Sequence, residues 1–133
     1  MINTTFYTEL GKVLYIIARA DGIISEKEEK ALKKAINDEF IYNNTFFQQH
    51  PDEKELILTK VSFYNCVRHN PKTSEILHDF LTFMQTNAGR LSSYQKELTH
   101  KLVLKVAGAT KGVEETERKI IRQISECCIT SLA

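Results

Sequence analysis

The sequence is poor in residues that interrupt regular structure, and it lacks several features that would assign a class of function. Its 133 residues include two prolines, five glycines and no tryptophan. No apolar run approaches the roughly 20 residues that span a bilayer. The N-terminus has no basic segment followed by an apolar one, which a signal peptide would show. We therefore expect a cytoplasmic protein without a membrane span.

Cysteine content and net charge exclude further classes. Cys66, Cys127 and Cys128 cannot form a closed disulfide framework, and reduced thiols fit a cytosolic protein. Lys and Arg number 18 against 17 Asp and Glu, which gives a net charge of +1. Proteins that bind nucleic acids usually carry a basic excess, so we expect no nucleic-acid partner. The length suits a single domain, 1–133, with a sizeable core.

Helical periodicity predicts an all-α fold, a compact bundle of five to six helices. The first helix should run from about Thr4 to Arg19, because its apolar residues recur at the 3, 4, 7 spacing of one buried face. Pro51 and Pro71 mark the starts of two further helices. At the first of these Asp52 is the expected cap with Glu55 three residues on, and the helix continues through Leu56, Ile57, Val61, Tyr64 and Val67. Residues from about Tyr42 to Pro51 are polar and aromatic and should connect helices. The residues expected to face the core are Phe6, Leu10, Val13, Leu14, Ile17, Ala31, Leu32, Ala35, Ile36, Ile76, Leu77, Phe80, Leu81, Met84, Leu98, Leu102, Val103, Val106, Ile120, Ile121 and Ile124.

Two helix starts carry the spacing of a capping box. In this motif a serine hydroxyl accepts from a backbone N–H three residues on, and a Glu or Gln there accepts from the serine N–H. Ser25 with Glu28 predicts the start of the second helix, and Ser92 with Gln95 predicts the start of the fifth.

The two ends of the chain resemble each other. Leu14 matches Val103 and Glu28 matches Glu117 at the same offset, while the Asp-Gly pair of the first turn has no counterpart. Two interpretations stay open: an internal repeat of a helix hairpin, or the partial agreement that any two amphipathic helix pairs show.

The turn after the first helix reads Asp-Gly-Ile-Ile-Ser-x-x-Glu, like the back half of a calcium-binding EF-hand loop. With Glu28 as the last ligand, Ile17 and Arg19 would fill the first and third ligand positions, and neither has a side-chain oxygen. The pattern is therefore half a loop. Asp21 belongs either to a simple helix joint or to a cation site that other carboxylates complete.

Two other groups invite a functional interpretation. Cys66 and His69 lie one helical turn apart, a spacing that suits zinc, but no second ligand pair is recognisable. A buried cysteine near a surface histidine is the favoured interpretation. Phe46 and Phe47 form either a partner surface or a cover for the core beneath a connector. The common catalytic motifs are missing, so we expect no enzyme.

The segment from Leu14 to Glu28 resembles the signature of the TerB-like domains of tellurite resistance, a family that includes the N-terminal domain of a DnaJ-like membrane chaperone. The shared pattern is an apolar helix, Ala-Asp-Gly, an apolar residue, Ser and then Glu. The resemblance covers about residues 6–36, with a second copy over 98–124 that lacks Asp-Gly. It implies an all-helical bacterial stress-response domain with divalent-metal binding. The residues that match its acidic motif are Asp21, Glu28 and Glu117.

The expected function follows from this resemblance and from the lack of a recognisable set of catalytic residues in the sequence. We expect a non-enzymatic helical module that binds a partner protein, with a divalent cation as its candidate cofactor. The alternative is a purely structural or oligomerising helical domain with no ligand, and in the oligomerising case the partner is a second copy of the chain.

Overall fold

The computed structural model of the protein describes residues 2–19, 24–46, 53–109 and 115–132, and it describes side chains over 4–19, 24–38, 54–107 and 118–126. Within these ranges the chain forms six helices and no strand, which confirms the predicted all-α bundle. No helix there has the length and apolarity that a bilayer span demands. The helices are α1 (Ile2–Arg19), α2 (Glu26–Phe46), α3 (Glu53–His69), α4 (Thr73–Thr86), α5 (Ser93–Ala109) and α6 (Glu115–Leu132).

The first helix lies at the centre of the bundle, where α1 packs against α3, α4, α5 and α6. The predicted face of α1 is buried, and so are neighbours outside it: every residue from Val13 to Ala18 is at most 2% exposed. Tyr15 and Ile16 belong to this wider set. A helix segment that is apolar on all sides lies in a core, so α3, α4, α5 and α6 are arranged around this part of α1.

The contact between α1 and α3 is closest at Gly11. A Cβ atom there would run into the carbonyl oxygen of Thr59 and would lie 2.7 Å from Cβ of Ser62. The Ser62 hydroxyl donates to the carbonyl oxygen of Thr8 at 2.6 Å, and the Thr59 hydroxyl donates to that of Glu55 at 3.0 Å. Small hydroxyl side chains, each with a backbone acceptor, thus form the part of α3 that approaches α1.

Asn70 directly follows the last residue of α3 and adopts the left-handed conformation, with φ at 54°. Asparagine tolerates this region better than other residues with a Cβ. The side chain is also held, because the Tyr15 hydroxyl donates to Asn70 Oδ1 at 2.8 Å and Arg19 Nη1 donates to the Tyr15 oxygen at 2.9 Å. The end of α3 is therefore fixed to the last turn of α1.

Both predicted capping boxes are present. At the start of α5 the Ser92 N–H donates to Gln95 Oε1 and the Gln95 N–H donates to Ser92 Oγ, each at 3.1 Å. The box of Ser25 and Glu28 at the start of α2 is described with the candidate site. The predicted repeat would pair α1–α2 with α5–α6, and it stays a prediction because residues 20–23 and 110–114 of the intervening turns lie outside the described residues.

Two predictions about α2 were wrong. The segment from Tyr42 was expected to connect helices, but α2 continues to Phe46. Polar and aromatic residues are only weakly unfavourable in a helix, and the first proline in this region is Pro51. Ala31 was expected to face the core and is exposed, while Leu32 beside it is buried. A methyl group loses little by facing water, so the larger neighbour determines which face is buried.

Candidate functional site

The predicted cation ligands are only partly within the described structure. Glu28 lies in the first turn of α2, where its Oε1 accepts the Ser25 N–H at 3.2 Å and its own N–H donates to Ser25 Oγ at 3.1 Å. Asp21 lies outside the described residues, and so does the side chain of Glu117. Among the described residues no group of three or more His, Cys, Asp or Glu side chains is placed to hold a metal ion. The cation site therefore stays a prediction, while the capping box is confirmed.

The capping and cation roles of this turn can be separated by substitution. Ser25→Ala should cost about 1 kcal/mol of unfolding free energy, because one backbone N–H of α2 loses its acceptor. Glu28→Gln should cost only a few tenths, because glutamine forms the same box, as Gln95 does in α5. Urea denaturation measures both. An unchanged stability in Ser25→Ala would contradict the capping role.

The same two variants test the cation. A divalent cation held through Glu28 should add about 2.7 kcal/mol of stability at 100 times its dissociation constant. Glu28→Gln should abolish this gain and Ser25→Ala should keep it, as thermal unfolding with Ca²⁺, Mg²⁺, Mn²⁺ or Zn²⁺ would show. If every ion stabilises wild type and Glu28→Gln equally, Glu28 is not a ligand.

Cys66 and His69 fit the favoured interpretation of a buried cysteine near a surface histidine. Cys66 is 5% exposed and His69 is exposed. Burial raises the pKa of the Cys66 thiol, which Lys12 partly offsets, so the thiol is less reactive than a free cysteine. Phe47 and the side chain of Phe46 lie outside the described structure, and their role as a partner surface stays a prediction.

The outer side of α3 carries a feature that the sequence did not reveal. Ile57 is 55% exposed and Val61 51% exposed, and Asn65 continues the same row one turn further on. We call Ile57, Val61 and Asn65 the α3 ridge. Large apolar side chains scattered singly on a surface are ordinary, but two of them one turn apart form a continuous apolar row.

A groove lies on each side of the α3 ridge at Val61 and Asn65. The first, of about 360 Å³, separates α3 from α1 and includes Lys12, Leu58 and Cys66 in its lining. The second, of about 310 Å³, lies on the side of α2 and includes Lys33, Lys60 and Tyr64. Val61 and Asn65 line both grooves, so the ridge separates two concave surfaces.

The second groove is organised around the ring of Tyr64. Lys33 Nζ lies 4.1 Å from the ring centroid and the guanidinium carbon of Arg68 lies 4.4 Å from it. These distances are those of cation–π interactions. Lys60 Nζ donates to Asn37 Oδ1 at 3.1 Å, so the amide orients it without neutralising its charge.

The charges that border the two grooves are mostly positive. Among the described residues, no Asp or Glu lines either groove. Two of these lysines form ion pairs within their own helices. Lys12 Nζ lies 3.4 Å from Glu9 Oε1, and Lys33 Nζ lies 3.3 Å from Glu29 Oε1. Arg68 has no ion pair with a described carboxylate. On a chain with a net charge of +1, this surface concentrates positive charge.

The sequence could not show which residues of α3 face outward, because the helix is not cleanly amphipathic. Thr59 and Ser62 are buried although they are polar, and Ile57 and Val61 are exposed although they are apolar. Gly11 allows α1 to approach the backbone of α3 closely, and Thr59 and Ser62 lie at this contact. A sequence signal did exist: a glycine in a helix interior, which costs stability unless it serves a close contact.

Comparisons with protein-family models, with curated proteins and with solved structures found no match. The TerB-like resemblance therefore remains a prediction, and the function is argued from the site itself.

Proposed function

We propose that this protein is a non-enzymatic helical module that binds a partner protein along the α3 ridge and its two grooves. The observation that carries the proposal is the exposed apolar pair Ile57 and Val61, together with the two concave surfaces that meet at Val61. The TerB-like resemblance gives the context, a bacterial stress response, and adds the divalent cation of the α1–α2 turn as a separate proposal.

Energetics favour this surface as an interface. Fully burying a side chain such as Ile57 or Val61 is worth about 1.5–3 kcal/mol, so completing the burial of two half-exposed side chains contributes about 2 kcal/mol. Tyr and Arg are enriched among the residues that dominate binding energies, and Tyr64 and Arg68 adjoin the ridge. Tyr64 already contacts two cations through its ring, so binding costs little further ordering of this side chain.

A photo-crosslinking amino acid at position 61 tests the proposal in cells. We expect a discrete adduct with one partner protein, identified by mass spectrometry. Leu104 on α5 is 49% exposed, nearly the same as Val61, so the same crosslinker at position 104 is the matched control. With the purified partner, Val61→Asp should weaken binding by about tenfold or more in calorimetry, and Leu104→Asp should not.

Other outcomes discriminate against the proposal. An adduct between two copies of the chain at position 61 would favour the alternative of an oligomerising domain. Equal adducts at positions 61 and 104, or none at position 61, would contradict a partner at the ridge.

A further inference from the structure

The geometry points to an acidic amphipathic helix of the partner protein as the segment that lies along the α3 ridge. This inference rests on the proposed function and specifies the chemistry of the partner.

The shape of the surface favours a helix. The ridge residues lie four positions apart, and such rows on one helix pack into the grooves of another helix. Here the arrangement is a row with a groove on either side, so a second helix can place its own apolar rows in the two grooves. α3 is 17 residues long, about 25 Å at 1.5 Å per residue, which gives space for roughly four to five turns of a partner helix.

The charge of the surface favours an acidic segment. Lys33, Lys60 and Arg68 border the groove on the α2 side and Lys12 borders the groove on the α1 side. Among the described residues no carboxylate pairs with Lys60 or Arg68, so these two cations are the ones that an incoming carboxylate would meet first. A basic segment would meet like charges on both sides of the ridge, which disfavours its binding.

The apolar centre distinguishes a peptide from a nucleic acid. Val61 is shared by both grooves and Ile57 extends the ridge by one turn. A phosphate backbone would leave these side chains facing charged oxygens, whereas an amphipathic helix covers them with its own apolar face. The surface therefore has cations on both sides of an apolar row. It is complementary to a partner helix with leucine-like residues on one face and carboxylates at the margins of that face.

Designed peptides test the chemistry directly. Three 17-residue probes match the length of α3: one with leucine on one helical face and glutamate at the margins, one with lysine in place of glutamate, and one with the acidic composition scrambled. Fluorescence anisotropy should show binding of the acidic amphipathic peptide alone, weakened by added salt because exposed charges are screened. Equal binding of the lysine peptide would overturn the inference.

Charge reversals locate the binding. Arg68→Glu and Lys60→Glu should each weaken binding of the acidic peptide by about tenfold or more, and should partly restore binding of the lysine peptide. Lys105→Glu on α5 makes the same change of charge at another exposed position and should have no effect. Unchanged affinity in both reversals would contradict the assignment, and so would tighter binding of single-stranded DNA than of the acidic peptide.

The two proposals fail in different ways. If the crosslinked partner binds the ridge and Val61→Asp weakens it, but both charge reversals leave its affinity unchanged, only the acidic chemistry is wrong. If neither a partner adduct nor peptide binding is seen, the proposed function itself is wrong.

Discussion

Replacing Gly11 with valine should unfold the protein or reduce its stability by about 3 kcal/mol or more. Two of the three nearest atoms that a side chain would meet at this position belong to the backbone of α3, the Thr59 carbonyl oxygen and, at 3.0 Å, the Phe63 nitrogen; the third is Cβ of Ser62, which is bonded directly to that backbone. Backbone atoms inside a helix cannot rotate away as the tip of a flexible side chain can. α3 would therefore have to move as a unit.

That movement would cost more than the clash alone. Separating α3 from α1 stretches the 2.6 Å hydrogen bond from Ser62 to the Thr8 carbonyl oxygen and opens space around Phe63, which is fully buried. Gly11→Ala should be milder, because about 1–3 kcal/mol of overpacking is offset by about 1 kcal/mol of helix propensity. The order of stability should be wild type, then alanine, then valine.

Gly89 provides the matched control for these variants. A Cβ atom there has no neighbour within 4 Å, so Gly89→Val should change the unfolding free energy by less than about 0.5 kcal/mol. Urea denaturation followed by circular dichroism measures all four proteins. A Gly11→Val variant as stable as Gly89→Val would show that the close contact between α1 and α3 is absent in solution.

Alkaline pH should destabilise the protein through Tyr7. Its side chain is 1% exposed, and burial raises the pKa of the hydroxyl well above the ordinary value of 10.0, with the nearby Glu55 carboxylate raising it further. Hydrogen bonds join the hydroxyl to Glu55, which accepts its proton, and to Gln95, whose amide donates to its oxygen. Deprotonation would bury a phenolate beside a carboxylate.

The direction of the pH dependence follows from this pKa. The stability that Tyr7 contributes is fully present below about pH 10, where tyrosine is protonated in both folded and unfolded chains. Above pH 10 the unfolded chain loses this proton first, so the contribution falls by at most about 1.4 kcal/mol per pH unit. Burial also raises the pKa values of Tyr15 and Cys66, so they add to the loss.

The variant Tyr7→Phe isolates the contribution of Tyr7 to the loss of stability at alkaline pH. At pH 8 this variant should be less stable than wild type by about 1–3 kcal/mol, because Glu55 and Gln95 each lose a partner. Between pH 10 and pH 11 the difference should shrink, because only wild type carries the titrating hydroxyl. Urea denaturation at each pH provides the measurement, with Tyr64→Phe as a control on the surface of α3. Parallel curves for wild type and Tyr7→Phe would disprove the assignment.

Local signals in the sequence predicted the parts of the fold that local interactions determine. The capping residues Ser25 and Ser92 act within one turn of their own helix, so their spacing sufficed to place two helix starts. The buried stripe of α1 was also visible, because period and apolarity agree there.

Features that depend on contacts between helices were not visible. The outward face of α3 depends on the approach of α1 at Gly11, and the end of α2 at Phe46 has no breaker residue to mark it. For the candidate site, the sequence identified Glu28 and its cap but not the α3 ridge. The ridge is defined by what the rest of the bundle leaves uncovered, and that is a property of packing.

The central position of α1 implies cooperative opening of the bundle. Because α1 contacts α3, α4, α5 and α6, none of these helices can detach without exposing part of α1 to water. The backbone amides of α1 should consequently exchange with solvent only when the domain opens globally. A partner seated on α3 would then stabilise the whole domain rather than one helix, since the free energy of binding adds to that of a single folding unit.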